Sequence, residues 1–187
     1  MTIRRRKERI FVAFEGKSEI AFCAWLQDLC NEHQPNIYLD RPRRMSGGDP
    51  LALVECALKA RQRSTQSAGL RHRHSCLLID TDRLDDGSVR SSGAVALAEE
   101  KDLVLIRQRP CFEAVILRLH EGCEKKVPAT AREALSQLRQ VWPDYQKPPT
   151  RYQLAGRFAF AHLQRLAAVE PEIARLLAIL GLPSGSK

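Results

Sequence analysis

Three carboxylates placed directly after strand-like runs are the residues of this chain best suited to do chemistry together. Glu15 follows "RIFVAF", Asp80 closes "SCLLID", and Asp82 lies two residues beyond it. Gathered without a cation, such groups repel one another and raise their own pKa values, whereas Mg²⁺ or Mn²⁺ removes that cost and takes their oxygens as ligands. Gly16 suits the same chemistry, because a side chain there would crowd a metal or keep a phosphate from the backbone. Lys17 beside it, or a nearby arginine, supplies a cation for the charge that develops on a phosphate. The expected catalytic set is Glu15, Asp80, Asp82 and Lys17 around a divalent metal. Other chemistries lack their residues: the chain has no GxxxxGK[ST] loop, no nucleophile elbow and no CxxC or CxxH pairing. His72 and His74 in "RHRH" read as part of a basic loop, and His120 as an exposed helix end.

The elements that must position these residues follow from periodicity. "RIFVAF" is a short apolar run of the kind buried on both faces of a sheet, and "SEIAFCAWLQDLCNEH" continues with helical spacing from Ser18 as a cap. "NIYLD" is a weaker second strand, followed by a helix with Asp49 as cap and Pro50 at its first position. "SCLLID", a short helix in "VRSSGAVALAEEK", the strand "DLVLIRQ" and a helix begun by Pro110 complete four βα units. Such alternation predicts an α/β, Rossmann-like fold with a parallel four-stranded sheet flanked by helices. Groups just past the carboxyl ends of adjacent parallel strands converge on one crevice, which is where Glu15, Asp80 and Asp82 are expected to meet. Residues 8–122 form this unit. Residues 123–187 read as a helical extension packed on it, with a Thr130–Glu133 capping box, the break "PDYQKPPT", and one or two helices closed by Gly181.

Composition narrows the partners. The 187 residues carry a net charge of +8, which favours polyanions and makes their binding salt-sensitive. The cations cluster at Arg4, Arg5 and Arg6, at Arg41 to Arg44, at Arg71 and Arg73, and at Arg107 and Arg109, the expected contacts to nucleic-acid phosphates. Six cysteines without a secretion signal read as reduced, mostly buried thiols. With neither an apolar leader nor a run of membrane-span length, the expectation is a cytoplasmic protein with no membrane partner. Self-association is left open.

The ordered set "FEGKSE", "DPLALVECALKA", "LLIDTD" and "RPCFEAVILRLHE" resembles the RloB-like family of bacterial phage-resistance proteins, whose core is similar to the Toprim domain of topoisomerases, primases and OLD-family nucleases. The resemblance covers roughly residues 8 to 122, and "DYQKPPTRYQL" looks like the family's Tyr-x-Lys tail. It implies a Toprim site in which Glu15 is the first acid and Asp80 and Asp82 the DxD pair. It adds Glu19 and Glu113 as further metal ligands. It also implies Mg²⁺ or Mn²⁺ as cofactor, DNA or RNA as substrate, antiphage defence by abortive infection, and an ATPase partner for any ATP-driven step. Position 84 is Leu where topoisomerase sites often carry a third Asp. That departure keeps two alternatives alive: a subunit that binds nucleic acid or an ATPase without cleaving, and another phosphoryl-transfer activity.

Overall fold

The computed structural model describes residues 7–34, 36–41, 45 and 48–184 of the chain. Four parallel strands, β1 (Glu8–Phe14), β2 (Ile37–Asp40), β3 (His74–Asp80) and β4 (Val104–Gln108), lie in the order β2-β1-β3-β4. The chain leaves β1 through α1 (Lys17–His33) to β2 on one side, then returns through α2 (Pro50–Ala68) to β3 on the other. The order therefore reverses between β1 and β3, and this switch point is where open α/β sheets leave a crevice beyond the strand ends.

Alternation along the strands builds a core on each face. Ile10, Val12 and Phe14 of β1, with Cys76 and Leu78 of β3, pack under α1 and α5 (Phe112–Leu119). Phe11, Ala13, Leu77 and Ile79 face the other way, against α2 and α4 (Val89–Glu100). Between β3 and α4 lies one short turn of helix, α3 (Thr81–Leu84). Leu84 packs in the second core at 3% exposure, which gives the apolar residue at position 84 a packing role.

The extension adds its side chains to the first core. Leu138 and Trp142 around α6 (Ala131–Val141), Leu154 of α7 (Arg151–Arg157), Leu163 and Leu166 of α8 (Phe160–Ala167), and Ile173, Leu176 and Leu177 of α9 (Pro171–Ile179) share one cluster with α1 and α5. Arg118, 4% exposed on α5, fastens it by donating to both carboxylate oxygens of Glu170 (2.7 and 2.9 Å) and to the carbonyl of Arg109 (2.7 Å). Paired bonds of this planar kind are strong and directional.

Local signals held at some ends and not at others. Asp49 caps α2, its carboxylate accepting from Ala52 N–H at 3.1 Å, with Pro50 at the first helical position. Thr130 accepts from Glu133 N–H at 3.1 Å, while Glu133 reaches back to the N–H of Ala129 rather than that of Thr130. By contrast α1 starts one residue before Ser18, with Gly16 as its cap, and α5 starts after Cys111 rather than at Pro110. The last stretch forms three helices, not one or two. Phe158 turns extended to bury its ring, and Glu170 is held extended ahead of Pro171, as a residue before proline is disposed to be.

Candidate functional site

Beyond the carboxyl ends of β1 and β3 opens a cleft of about 920 Å³ lined by Glu15, Glu19, Asp80, Asp82 and Glu113, with Lys17, Arg83 and Lys147 among its cations. Glu15 is the first residue after β1, and β1 pairs with β3 as far as Phe14 opposite Leu78, so strand register brings Glu15 and Asp80 to the same end. Asp82 rides on α3, its N–H held by the carbonyl of Pro110 at 3.1 Å. Glu19 and Glu113 sit in the first turns of α1 and α5 and are 5% and 3% exposed.

The electrostatics are those of crowded acids. Asp80 is pushed up to about 8 by burial, and then by Glu19, Asp82 and Glu113. Burial and the charges of Glu113 and Glu15 bring Glu19 to about 7. One buried oxygen of Asp80, Oδ1, accepts no hydrogen bond. Two other acids are already paired: Arg83 Nη1 lies 2.7 Å from Glu15 Oε1, and Lys147 Nζ lies 2.9 Å from Glu113 Oε1. Desolvation pulls the Lys147 ammonium down, but Glu113 outweighs it and the net shift is upward.

This donor set fits a hard divalent ion in kind, since every side chain turned to the cleft from the acidic side is an oxygen ligand. Glu19 is packed tightly against the start of α1: a Cβ on Gly16 would come within 2.5 Å of Glu19 Oε2, so only glycine leaves that carboxylate its position. Among the described residues, however, no group of three or more His, Cys, Asp or Glu side chains is gathered tightly enough to hold an ion as the side chains now stand. Mutual repulsion and the two ion pairs account for the spread.

Gly16→Ala offers a direct check. The backbone at φ −94° accepts alanine, so stability should change by less than about 1 kcal/mol. Glu19 would be displaced, and Mn²⁺ affinity measured by calorimetry should fall by roughly 10-fold or more. An unchanged affinity would remove Glu19 from the ligand set.

Several residues expected at phosphates lie elsewhere. Arg71 and Arg73 precede β3, at the opposite end of the sheet from Asp80; six residue steps of strand carry the chain from His74 to Asp80, about 20 Å. Arg73 there pairs with Glu8, and His72, in the loop before β3, is turned away from solvent: its side chain, 2% exposed, lies 2.7 Å from Asp40, which also binds Arg9 and Ser64. Arg107 lines a separate cavity of about 350 Å³ with Glu99, Asp102, Glu172 and Arg175, away from the acidic cleft. Arg109 is exposed after β4 and does not line the cleft. Arg4, Arg5 and Arg6 fall outside the described residues, as do Arg43 and Arg44. His120 is not an exposed helix end. It stacks edge-on to Phe158 and Trp142, and burial brings it down to about 4.

Two cleft residues were not singled out by the sequence reading of the site. Arg83 follows the DxD pair directly, and its spacing from Asp82 was a usable signal. Lys147 comes from the Pro-rich break, where the resemblance to a Tyr-x-Lys tail marked it without placing it at the site. Compared with protein-family models, curated proteins and solved structures, the chain matches none. Among the described residues no helix is long and apolar enough to cross a membrane, and all six cysteines are free, five of them buried.

Proposed function

We propose that this chain is a Toprim-type, Mg²⁺- or Mn²⁺-dependent nuclease that hydrolyses phosphodiester bonds of DNA or RNA, in the cytoplasm and in defence against phage, as its RloB-like motifs suggest. The observation that carries the reading is the unpartnered oxygen of Asp80, set among Glu19, Asp82 and Glu113 at the β1/β3 switch point. Uncompensated acids at that position are costly to keep unless a cation uses them. Asp80, Asp82 and Glu19 are the ligands on this reading, with Glu15 and Glu113 behind them. A divalent ion, when bound, supplies Lewis acidity toward a phosphoryl oxygen and a water of lowered pKa. The exposed Lys17, at the start of α1, orients the phosphate, and Arg83 holds Glu15 facing the cleft.

A second reading, a non-cleaving subunit that binds nucleic acid or an ATPase partner, draws on the two internal ion pairs and on the absence of a ready ligand group among the described residues. Purified protein incubated with plasmid DNA, single-stranded DNA and RNA, with Mg²⁺, Mn²⁺ or EDTA, separates the two. Cleavage that requires metal and stops with EDTA is the expected result. Binding without cleavage under every condition would favour the second reading.

A further inference from the structure

We propose, resting on the metal-site reading above, that the cleft takes a single divalent ion and that Lys147 occupies the place of a second, as a cation built into the chain.

Glu113 is 3% exposed and lines the cleft, yet it is already served: the ammonium of Lys147 stands 2.9 Å from its Oε1, off the line of a hydrogen bond but in close ion contact. A buried carboxylate left without a cation would be costly, so this contact is a working part of the site. Lys147 is not there by the drift of a loose side chain. It sits between two buried anchors in the segment following α6, Tyr145 at 4% exposure and the buried Pro149. Tyr145 itself packs beside the same acids, and burial, then Glu113, push its hydroxyl above the ordinary range. Buried anchors on both sides of Lys147 hold its backbone beside Glu113, which keeps the ammonium within reach of that carboxylate.

The remaining acids divide accordingly. Glu15 is held by Arg83, and Glu113 by Lys147. Among the described residues Glu19, Asp80 and Asp82 line the cleft with no ion-pair partner, and Asp80 Oδ1 has no hydrogen-bond partner either. Three oxygen-donor side chains with waters suffice for one hexacoordinate ion such as Mg²⁺. A second ion would have to expel Lys147, whose side chain is 53% exposed, from the buried Glu113 and would meet its ammonium at close range.

Calorimetric titration with Mn²⁺, paired with electron paramagnetic resonance to count bound ions, tests the assignment without any nuclease assay. Wild-type protein should bind one Mn²⁺ per chain, and Lys147→Arg should do the same. Lys147→Met frees Glu113 and should admit a second ion, whereas Lys147→Met combined with Glu113→Gln should return the count to one. Two ions per chain in the wild type would overturn the proposal whatever the variants do, as would a Lys147→Met protein that still takes only one. No ion bound to the wild type at millimolar Mn²⁺ would overturn the metal-site reading itself, and this inference with it.

Discussion

Asp80→Asn should abolish the proposed metal-dependent cleavage and raise the melting temperature of the metal-free protein. The two expected effects have opposite signs because, on the proposed reading, one carboxyl group serves the metal and burdens the fold. Asparagine keeps the size of the side chain but gives up the anionic oxygen that a divalent ion needs, so the cleavage rate should fall by at least about 10²–10³-fold. Without metal, the same oxygen is held among Glu19, Asp82 and Glu113 at a pKa of about 8. Near pH 7.5 the folded chain must keep that carboxyl largely protonated while the unfolded chain releases the proton, a cost that asparagine escapes; the gain is at most about 5 kcal/mol, and Tm should rise by several degrees. Rates measured under saturating Mg²⁺ and melting curves in EDTA read out the two halves separately. Undiminished cleavage would take Asp80 out of the site, and a lower Tm would refute the repulsion that defines it.

In EDTA, stability falls as pH rises from 6.5 to 8.5, and saturating Mg²⁺ flattens that dependence. The sign follows from proton counting. Asp80 and Glu19 have folded-state pKa values of about 8 and about 7, above their ordinary 3.8 and 4.5. Across this window the unfolded chain has already released both protons while the folded chain still holds part of them, so raising the pH favours unfolding until about pH 8. His120, brought down to about 4, is neutral in the folded state throughout. The acids with lowered values, Asp40, Asp49, Asp86 and Glu124, stay ionised and contribute no slope. For Asp80 alone, about 1.5 pH units of mismatch is worth about 2 kcal/mol, or a fall of roughly 4–8 °C in Tm. Asp80→Asn should lose most of this slope and Glu19→Gln a smaller part. A wild-type Tm that is flat or rising over the same range in EDTA would show that the cleft does not hold its acids protonated.

The strands that matter were legible because a strand covered by helices on both faces must be apolar almost throughout, and "RIFVAF" and "SCLLID" are. Their last residues then marked Glu15 and Asp80 before any geometry was known. Less was readable where the answer depends on which end of a strand a loop adjoins. Arg71 and Arg73 are as basic as an acidic cleft could require, but they lead into β3 while Asp80 closes it. Composition carries no such direction. Ser18 looked like a cap because serine usually is one. Here the tight approach of Glu19 to the backbone puts glycine in that role and turns Ser18 inward. Lys147 was hardest to read, since it lies 34 positions after Glu113 and reaches it only because α6 folds back on α5. The two helices meet through tertiary packing that no local pattern encodes.

The core shared between the sheet and the last helices constrains how the chain is made. Val12, Phe14 and Leu78 leave the ribosome early, but the residues that complete their side of the core run to Leu182. The 60 residues from Cys123 to Leu182 take roughly 3–12 s to synthesise at ordinary elongation rates. For that interval the apolar faces of α1 and α5 that the last helices cover stay open, so this half of the core should close only once the chain is made as far as Leu182.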